Sequence, residues 1–292
     1  MIHNEILVVK LNSDSFESYI SEGLSRYCDI LDIGQFYNAN VGFFFRNVSI
    51  LKNALLLNKK GLFSEYKKII VFDHFEIFTA ITLMTLKSKK TKVYLWLWNT
   101  LTAKREKKLK IIKKFGRVYT FDEGDAKKNA INWNSQFYYL KNDHNKQYEE
   151  YCLYFVGKDK GRKEIVERVA DILCDETLRP CIHLFDDKSA EFLDYKKVIS
   201  GIVRSRAVLD ITKIGQEGLT IRTMEALFFG KKLITNNKNI VNSIMYNPEN
   251  IFILNQDNVS KIPEFLKGEP RIYSQNAKDY YSIENWLKRF ED

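Results

Sequence analysis

Two segments of the chain combine residue types able to hold a charged ligand. In YFVGKDKGRKE, residues 154–164, an apolar run ends at Gly157, and Lys158, Lys160 and Arg162 follow ahead of a helical segment. Glycine lets backbone approach a ligand, and cations beside a helix N-terminus suit an anion such as a diphosphate. Neither a Walker A nor a GxGxxG pattern is present, and the same residues also fit a turn whose lysines face water. In LDITKIGQEGLTIRTMEAL, residues 209–227, a strand runs into a loop with Gly215 and Gly218, then a helix whose first turns carry Thr220, Arg222 and Glu225. The glycines can turn N–H groups toward phosphate, and a carboxylate within the helix can accept hydrogen bonds from a ribose diol. Arg222 lies three residues before Glu225, so it can reach a phosphate or pair with that carboxylate across one turn.

A second set lies earlier in the chain. Asp73 and His74 follow KIIVF, and Asn99 follows VYLWLW beside Trp96 and Trp98. Asp73 or His74 is a candidate general base; a histidine at a strand end also serves as a hydrogen-bonding cap. Trp98 and Asn99 are candidates for facing a ligand because they end a strand. Asp122-Glu-Gly-Asp125 has the look of a metal-binding carboxylate pair, but it reads better as a turn capping the next helix. No CxxC, HExxH or His cluster occurs among four cysteines and four histidines, so no metal knuckle or disulfide framework is indicated.

The elements that must position these residues alternate. Strands are expected at 5–9, 68–72, 91–97 and 116–120, with helices near 14–27, 76–88 and 103–114. A second series has strands at 151–156, 181–185, 207–211, 232–235 and 251–254, with helices near 161–174, 194–204 and 219–229. Such alternation marks α/β domains on parallel sheets. The polar stretch KNDHNKQYEE, 141–150, separates the two series as a linker. The expected fold is α/β, with two Rossmann-like domains facing a cleft, one at 1–145 and one at 146–280. A C-terminal helix follows in 281–292, with Ser282 as N-cap. Ligands of open parallel sheets bind at the C-terminal ends of the strands, which directs the function to that cleft.

Composition agrees with a folded protein: 292 residues, 45% apolar and 28% charged, against roughly 150 residues per domain. No apolar run reaches the roughly 18 residues of a membrane span, and the start lacks a signal-like apolar region, so a cytoplasmic location is expected. The net charge of +9 is uneven, because residues 51–120 hold 17 Lys/Arg against 4 Asp/Glu. The densest part is a basic helix at 104–114, given an apolar side by Leu109, Ile111, Ile112 and Phe115. It suits an anionic membrane surface and equally a solvated helix face. Nucleic acid would also be attracted, although no recognition module is present.

The tandem plan, VGKDKGR opening the second domain, and EGLTIRTMEAL followed by GKKLITNN together resemble bacterial GT-B glycosyltransferases of lipopolysaccharide and surface-polysaccharide biosynthesis. The resemblance is sharpest over about residues 151–240; KIIVFDHFE, VYLWLWNT and VYTFDEGDAKK resemble the same group. Glu217 and Glu225 fit the E-x7-E pattern of its retaining members. By that resemblance Glu225 binds the nucleotide ribose, Glu217 lies near the donor sugar, and Lys160 and Arg162 hold the diphosphate beside Gly157, Gly218, Thr220 and Arg222. It implies transfer from a nucleotide-sugar donor, bound by the second domain at 146–280, to a saccharide or lipid-linked glycan acceptor on the acceptor-side domain at 1–145, in lipopolysaccharide, O-antigen or capsule synthesis. Asp73 or His74 would then be the base for an acceptor hydroxyl, Trp98 and Asn99 would lie on the acceptor side, and the helix in 281–292 would pack across the junction. Retention is favoured, and no cofactor or essential metal is expected. The chain is short for the group, and KLNSDS, 10–15, matches its first glycine-rich loop poorly. A nucleotide-sugar epimerase or hydrolase on the same fold, or a nucleic-acid-binding protein using the patch at 51–120, are the alternatives.

Overall fold

The computed structural model describes residues 5–10, 14–33, 61–141, 149–173, 179–189, 193–254 and 256–291. Most of the expected linker, part of the loop after the first strand, His3, His144 and Cys174 lie outside the described residues. The chain divides into two compact units, residues 1–135 with 287–292, and residues 136–286. The division falls ten residues before the expected boundary because Phe137 and Tyr138 pack within the second unit, on Trp286 and on Phe228 and Phe229.

Unit 1 contains β1 (Ile6–Lys10), α1 (Ser15–Leu24), β2 (Asp29–Asp32), β3 (Lys68–Phe72), α2 (Phe75–Thr85), β4 (Lys92–Leu97), α3 (Ala103–Ile112), β5 (Arg117–Thr120), α4 (Glu123–Asn129) and β6 (Asn132–Trp133). The sheet is parallel, in the order β2-β1-β3-β4-β5-β6. Strand alternation sends Val93, Leu95 and Leu97 into a core with Phe78, Ile81 and Leu109. Tyr94 and Trp96 point the other way, against Phe290 of the returning C-terminus. There Arg289 donates to Asn134 Oδ1 at 2.7 Å and Ser135 Oγ at 2.6 Å. Asp122 caps α4 by accepting from Asp125 N at 2.9 Å, and Asp125 accepts from Leu101 N at 2.7 Å. The acidic pair thus does turn and cap work, each cap being worth about 1 kcal/mol.

Unit 2 contains β7 (Tyr151–Lys158), α5 (Lys163–Ile172), β8 (Arg179–Phe185), α6 (Tyr195–Val203), β9 (Ser205–Asp210), α7 (Ile221–Phe228), β10 (Lys232–Thr235), β11 (Ile251–Ile253), α8 (Ile262–Lys267), α9 (Gln275–Tyr280) and α10 (Ile283–Lys288). Its sheet is parallel in the order β11-β10-β9-β7-β8. The chain leaves β7 toward β8 on one side, then crosses to β9 on the other. The order therefore reverses between β7 and β9, where ligands of doubly wound sheets bind.

Gly201, inside α6, sets how closely that helix lies on β7, since a Cβ there would overlap the Tyr154 ring. Tyr154 is 2% exposed, so its ring is enclosed. Gly201→Ala is expected to destabilise the protein by about 1–3 kcal/mol despite alanine's better helix propensity. A lower urea midpoint at unchanged slope would report it; an unchanged midpoint would show that the core has room.

Candidate functional site

The ends of β7 and β9 bring most of the nominated ligand-binding residues together. After β7 the chain turns through Lys160 and Gly161, both left-handed with φ of 47° and 78°. Asp159 Oδ1 closes this turn by accepting from the N–H groups of Arg162 and Lys163 at 3.0 and 2.8 Å. Asp187, in the loop after β8, accepts from Lys160 N at 2.9 Å. The turn is therefore fixed by carboxylates on backbone N–H groups, and Arg162 is aimed back across the sheet.

Arg162 Nε donates to Lys158 O and Nη1 to Ile211 O, both at 2.8 Å, linking the ends of the two strands at the reversal. Arg222, in the first turn of α7, donates to Val156 O. Both guanidinium carbons stand over the Phe155 ring, at 5.4 and 5.5 Å. The two side chains converge over Gly157: a Cβ there would lie 2.8 Å from Arg162 Nη2 and 3.1 Å from Arg222 Nη2. Glycine leaves room here for the ends of both cations, which a Cβ would press aside.

Like charges are held here at a cost. Burial, then repulsion from Arg222, pulls the Arg162 guanidinium down to about 10, still protonated at neutral pH. Burial, then Lys213 and Arg162, lowers Lys160, with Lys158 a further repulsive neighbour. Arg222 Nε is buried with no hydrogen-bond partner among the described residues. Asp210, at the end of β9, is 1% exposed and accepts from Thr223 Oγ1 at 3.0 Å. Burial raises its carboxyl while Arg222 opposes that rise. An anion placed beside Lys158, Lys160, Arg162, Lys213 and Arg222 would relieve the repulsion.

The 211–220 loop forms another side of the site. Thr220 caps α7, its Oγ1 accepting from Arg222 N at 3.0 Å and Thr223 N at 3.4 Å. Asn236 Oδ1 accepts from Thr212 N at 2.8 Å. Asn237 Nδ2 donates to Glu217 O at 3.1 Å and Gly218 O at 3.3 Å. This asparagine pair after β10 holds the loop in place. Within the loop Gly218 is buried, whereas Glu217 is exposed.

Glu225 sits beneath this surface. It is 3% exposed, and its Oε1 accepts from Tyr195 OH at 2.7 Å, while Tyr195 OH lies 2.6 Å from Tyr138 OH. Burial pushes its carboxyl up to about 7, with Arg222 and the tyrosine hydrogen bond opposing.

The remaining nominated residues lie in unit 1. Asp73 is left-handed at φ 53°, paired with Arg105 and accepting from Asn99 Nδ2 at 2.8 Å. His74 caps α2, its Nδ1 accepting from Ile77 N at 3.2 Å. Burial lowers the imidazole, with Glu76 opposing. The capping bond requires an unprotonated Nδ1, so we read the ring as neutral and the 3.6 Å approach of Glu76 as no ion pair. Trp98 packs edge-on to Phe16 and tilted on Phe72. The sequence points to Asp73 and Asn99 separately; it does not single out Arg105, which pairs with Asp73, nor Asp210, Lys213, Tyr195, Asn236 and Asn237. The asparagines were visible only as the end of GKKLITNN.

Among the described residues no group of three His, Cys, Asp or Glu side chains forms a metal-binding cluster, and no helix is long and apolar enough to cross a membrane. Cys28, Cys152 and Cys181 are in the thiol form, outside any disulfide.

No family model and no curated protein matches the sequence. Solved structures share its fold. A Listeria monocytogenes protein assigned as a UDP-N-acetylglucosamine 2-epimerase is 11% identical, with 98% of this chain and 94% of that one covered, at a TM-score of 0.52. The Neisseria meningitidis UDP-GlcNAc 2-epimerase, bound to UDP-GlcNAc, is 10% identical with 97% of both chains covered, at a TM-score of 0.51. These likenesses establish the fold: two parallel α/β units of the GT-B type.

Proposed function

We propose that the chain is a glycosyltransferase whose second unit binds a nucleotide-sugar donor through its diphosphate. The observation that carries this reading is the convergence of Arg162 and Arg222 over Gly157 at the strand-order reversal, with three lysines around them. In the transfer an acceptor hydroxyl oxygen bonds to the anomeric carbon as the bond from that carbon to the diphosphate breaks, its electron pair going to the phosphate oxygen. The acceptor proton passes to the departing diphosphate. The cations stabilise the charge that develops there.

In this reading Lys160, Arg162 and Arg222 bind the diphosphate, Thr220 and Gly218 lie beside it, and Glu225 accepts from the ribose. Glu217 serves the donor sugar. Trp98 and Asn99, near Asp73 and His74, serve the acceptor, a saccharide or lipid-linked glycan of surface-polysaccharide synthesis. The enzyme works in the cytoplasm, at the inner face of the membrane. Retention fits the bonding in unit 1, where Asp73 is held by Arg105 and Asn99 and His74 is committed to its cap. Retention without a covalent intermediate asks least of a protein base.

A nucleotide-sugar epimerase is the second reading, favoured by the names of the two structures above. The test is thermal stabilisation by UDP, GDP, CMP, ADP and dTDP and their sugars, followed by NMR of the stabilising sugar nucleotide with protein alone. One nucleotide is expected to raise Tm, and its sugar to stay unepimerised without acceptor. Epimerisation under those conditions would select the second reading, and no shift with any nucleotide would remove both.

A further inference from the structure

We propose that the end of unit 1 formed by the N-terminal ends of β4 and β5 docks on an anionic lipid bilayer, with Leu86, Ile111 and Phe115 entering the interface and the surrounding lysines meeting headgroups. This deepens the membrane placement proposed above and uses no residue of the nucleotide site.

The surface is assembled from two helices. Both α2 and α3 pack through the same core cluster, with Phe78, Ile81 and Leu109. As crossovers between parallel strands, they run opposite to the strands and finish where β4 and β5 begin. Leu109 is 1% exposed, so it does not contribute to the outer apolar side expected of the basic helix. What faces outward is composite: Leu86 at 70% exposure and Leu83 at 50% from the end of α2, Ile111 at 62% from the end of α3, and Phe115 at 38% just after it. Between these ends lies a cavity of about 420 Å³, lined by Thr85, Leu86, Ser88, Lys92, Phe115 and Arg117.

Charge supplies the second argument. Residues 83–92 and 107–117 together carry ten Lys/Arg and no Asp/Glu. Lys108 pairs with Glu76 from elsewhere on α2, and Lys113 and Arg117 donate to the backbone carbonyls of Asn129 and Glu291. Lys89, Lys90 and Lys114 are exposed. Aliphatic and aromatic side chains inside a cationic surround match the layering of an anionic bilayer, acyl region beneath phosphate. Nucleic acid would answer the charge but make no use of Leu86 and Ile111.

The test is flotation of the full chain with vesicles of phosphatidylcholine alone or mixed with phosphatidylglycerol. Binding is expected only to the mixed vesicles and to weaken as salt is raised. Leu86→Gln/Ile111→Gln is expected to reduce it by about tenfold or more, and Lys89→Glu/Lys90→Glu/Lys114→Glu to abolish it. Both variants should keep the wild-type Tm and nucleotide response, so the two proposals fail independently. Absence of wild-type binding, equal binding to phosphatidylcholine alone, or unchanged binding by the Leu86/Ile111 variant would overturn the proposal. So would binding to duplex DNA that is lost in the Leu86/Ile111 variant.

Discussion

Arg162→Ala and Arg222→Ala are each expected to weaken binding of the stabilising nucleoside diphosphate by about 10- to 100-fold, from the roughly 1.5–3 kcal/mol carried by a hydrogen bond to a charged group. The double substitution should remove detectable binding. Both guanidiniums are already bonded to strand-end carbonyls, so each is preorganised before the ligand arrives. Their mutual repulsion, which helps pull Arg162 down to about 10, is a standing cost that a diphosphate would convert into attraction. Gly157→Ala should weaken binding less than either arginine deletion, without removing charge, because its Cβ would press on both Nη2 atoms and displace them slightly. Calorimetric titration with the diphosphate and with the corresponding nucleoside separates the causes. Loss with the diphosphate alone supports the site; equal loss with both would point to distortion of unit 2. Wild-type affinity in the double variant would remove the diphosphate assignment.

What the sequence made legible follows from the kind of element involved. Lys68–Phe72 and Lys232–Thr235 are found where expected, because strands buried on both faces read as short continuous apolar runs. β2 escaped notice: Asp29-Ile-Leu-Asp32 is short, acidic at both ends and half-buried at the sheet edge. The sequence places Leu109, Ile111, Ile112 and Phe115 together on one apolar side of the basic helix. On a helix Leu109 and Ile112 share a face three residues apart and turn inward, leaving Ile111 opposite them.

The site was legible in part for a similar reason. Gly157, Lys160, Arg162, Thr220 and Arg222 follow strand ends closely in sequence, and parallel sheets put strand ends together. That β7 neighbours β9, and that Arg162 therefore reaches Ile211 O, is a property of strand order that no local pattern contains. Asp73 shows the same limit. Its residue type suggested a base, but its partner Arg105 stands 32 residues away on α3.

Glu225 gives a large expected dependence of stability on pH between mild acid and neutrality. Its folded carboxyl is raised from 4.5 to about 7, chiefly by burial, so between these values the folded state holds a proton that the unfolded state has lost. Stability must therefore fall as pH rises from about 4.5 to 7 and then level off for this group, by about 3 kcal/mol at 1.36 kcal/mol per unit. Glu225→Gln keeps an acceptor for Tyr195 OH and cannot ionise. It should match the wild type near pH 4.5 and exceed it by up to about that amount near pH 8, in urea unfolding followed through unit 2. Parallel pH profiles would show that the carboxyl is not strained. The same titration reaches the proposed ribose contact, because a carboxylate accepts from a diol better than a neutral acid does. Affinity for the ribonucleotide should then rise through pH 7 in the wild type and stay flat in Glu225→Gln, with the 2′-deoxy form less sensitive. A pH-dependent stability with pH-independent binding would leave Glu225 as a buried partner of Tyr195 and remove it from the nucleotide site.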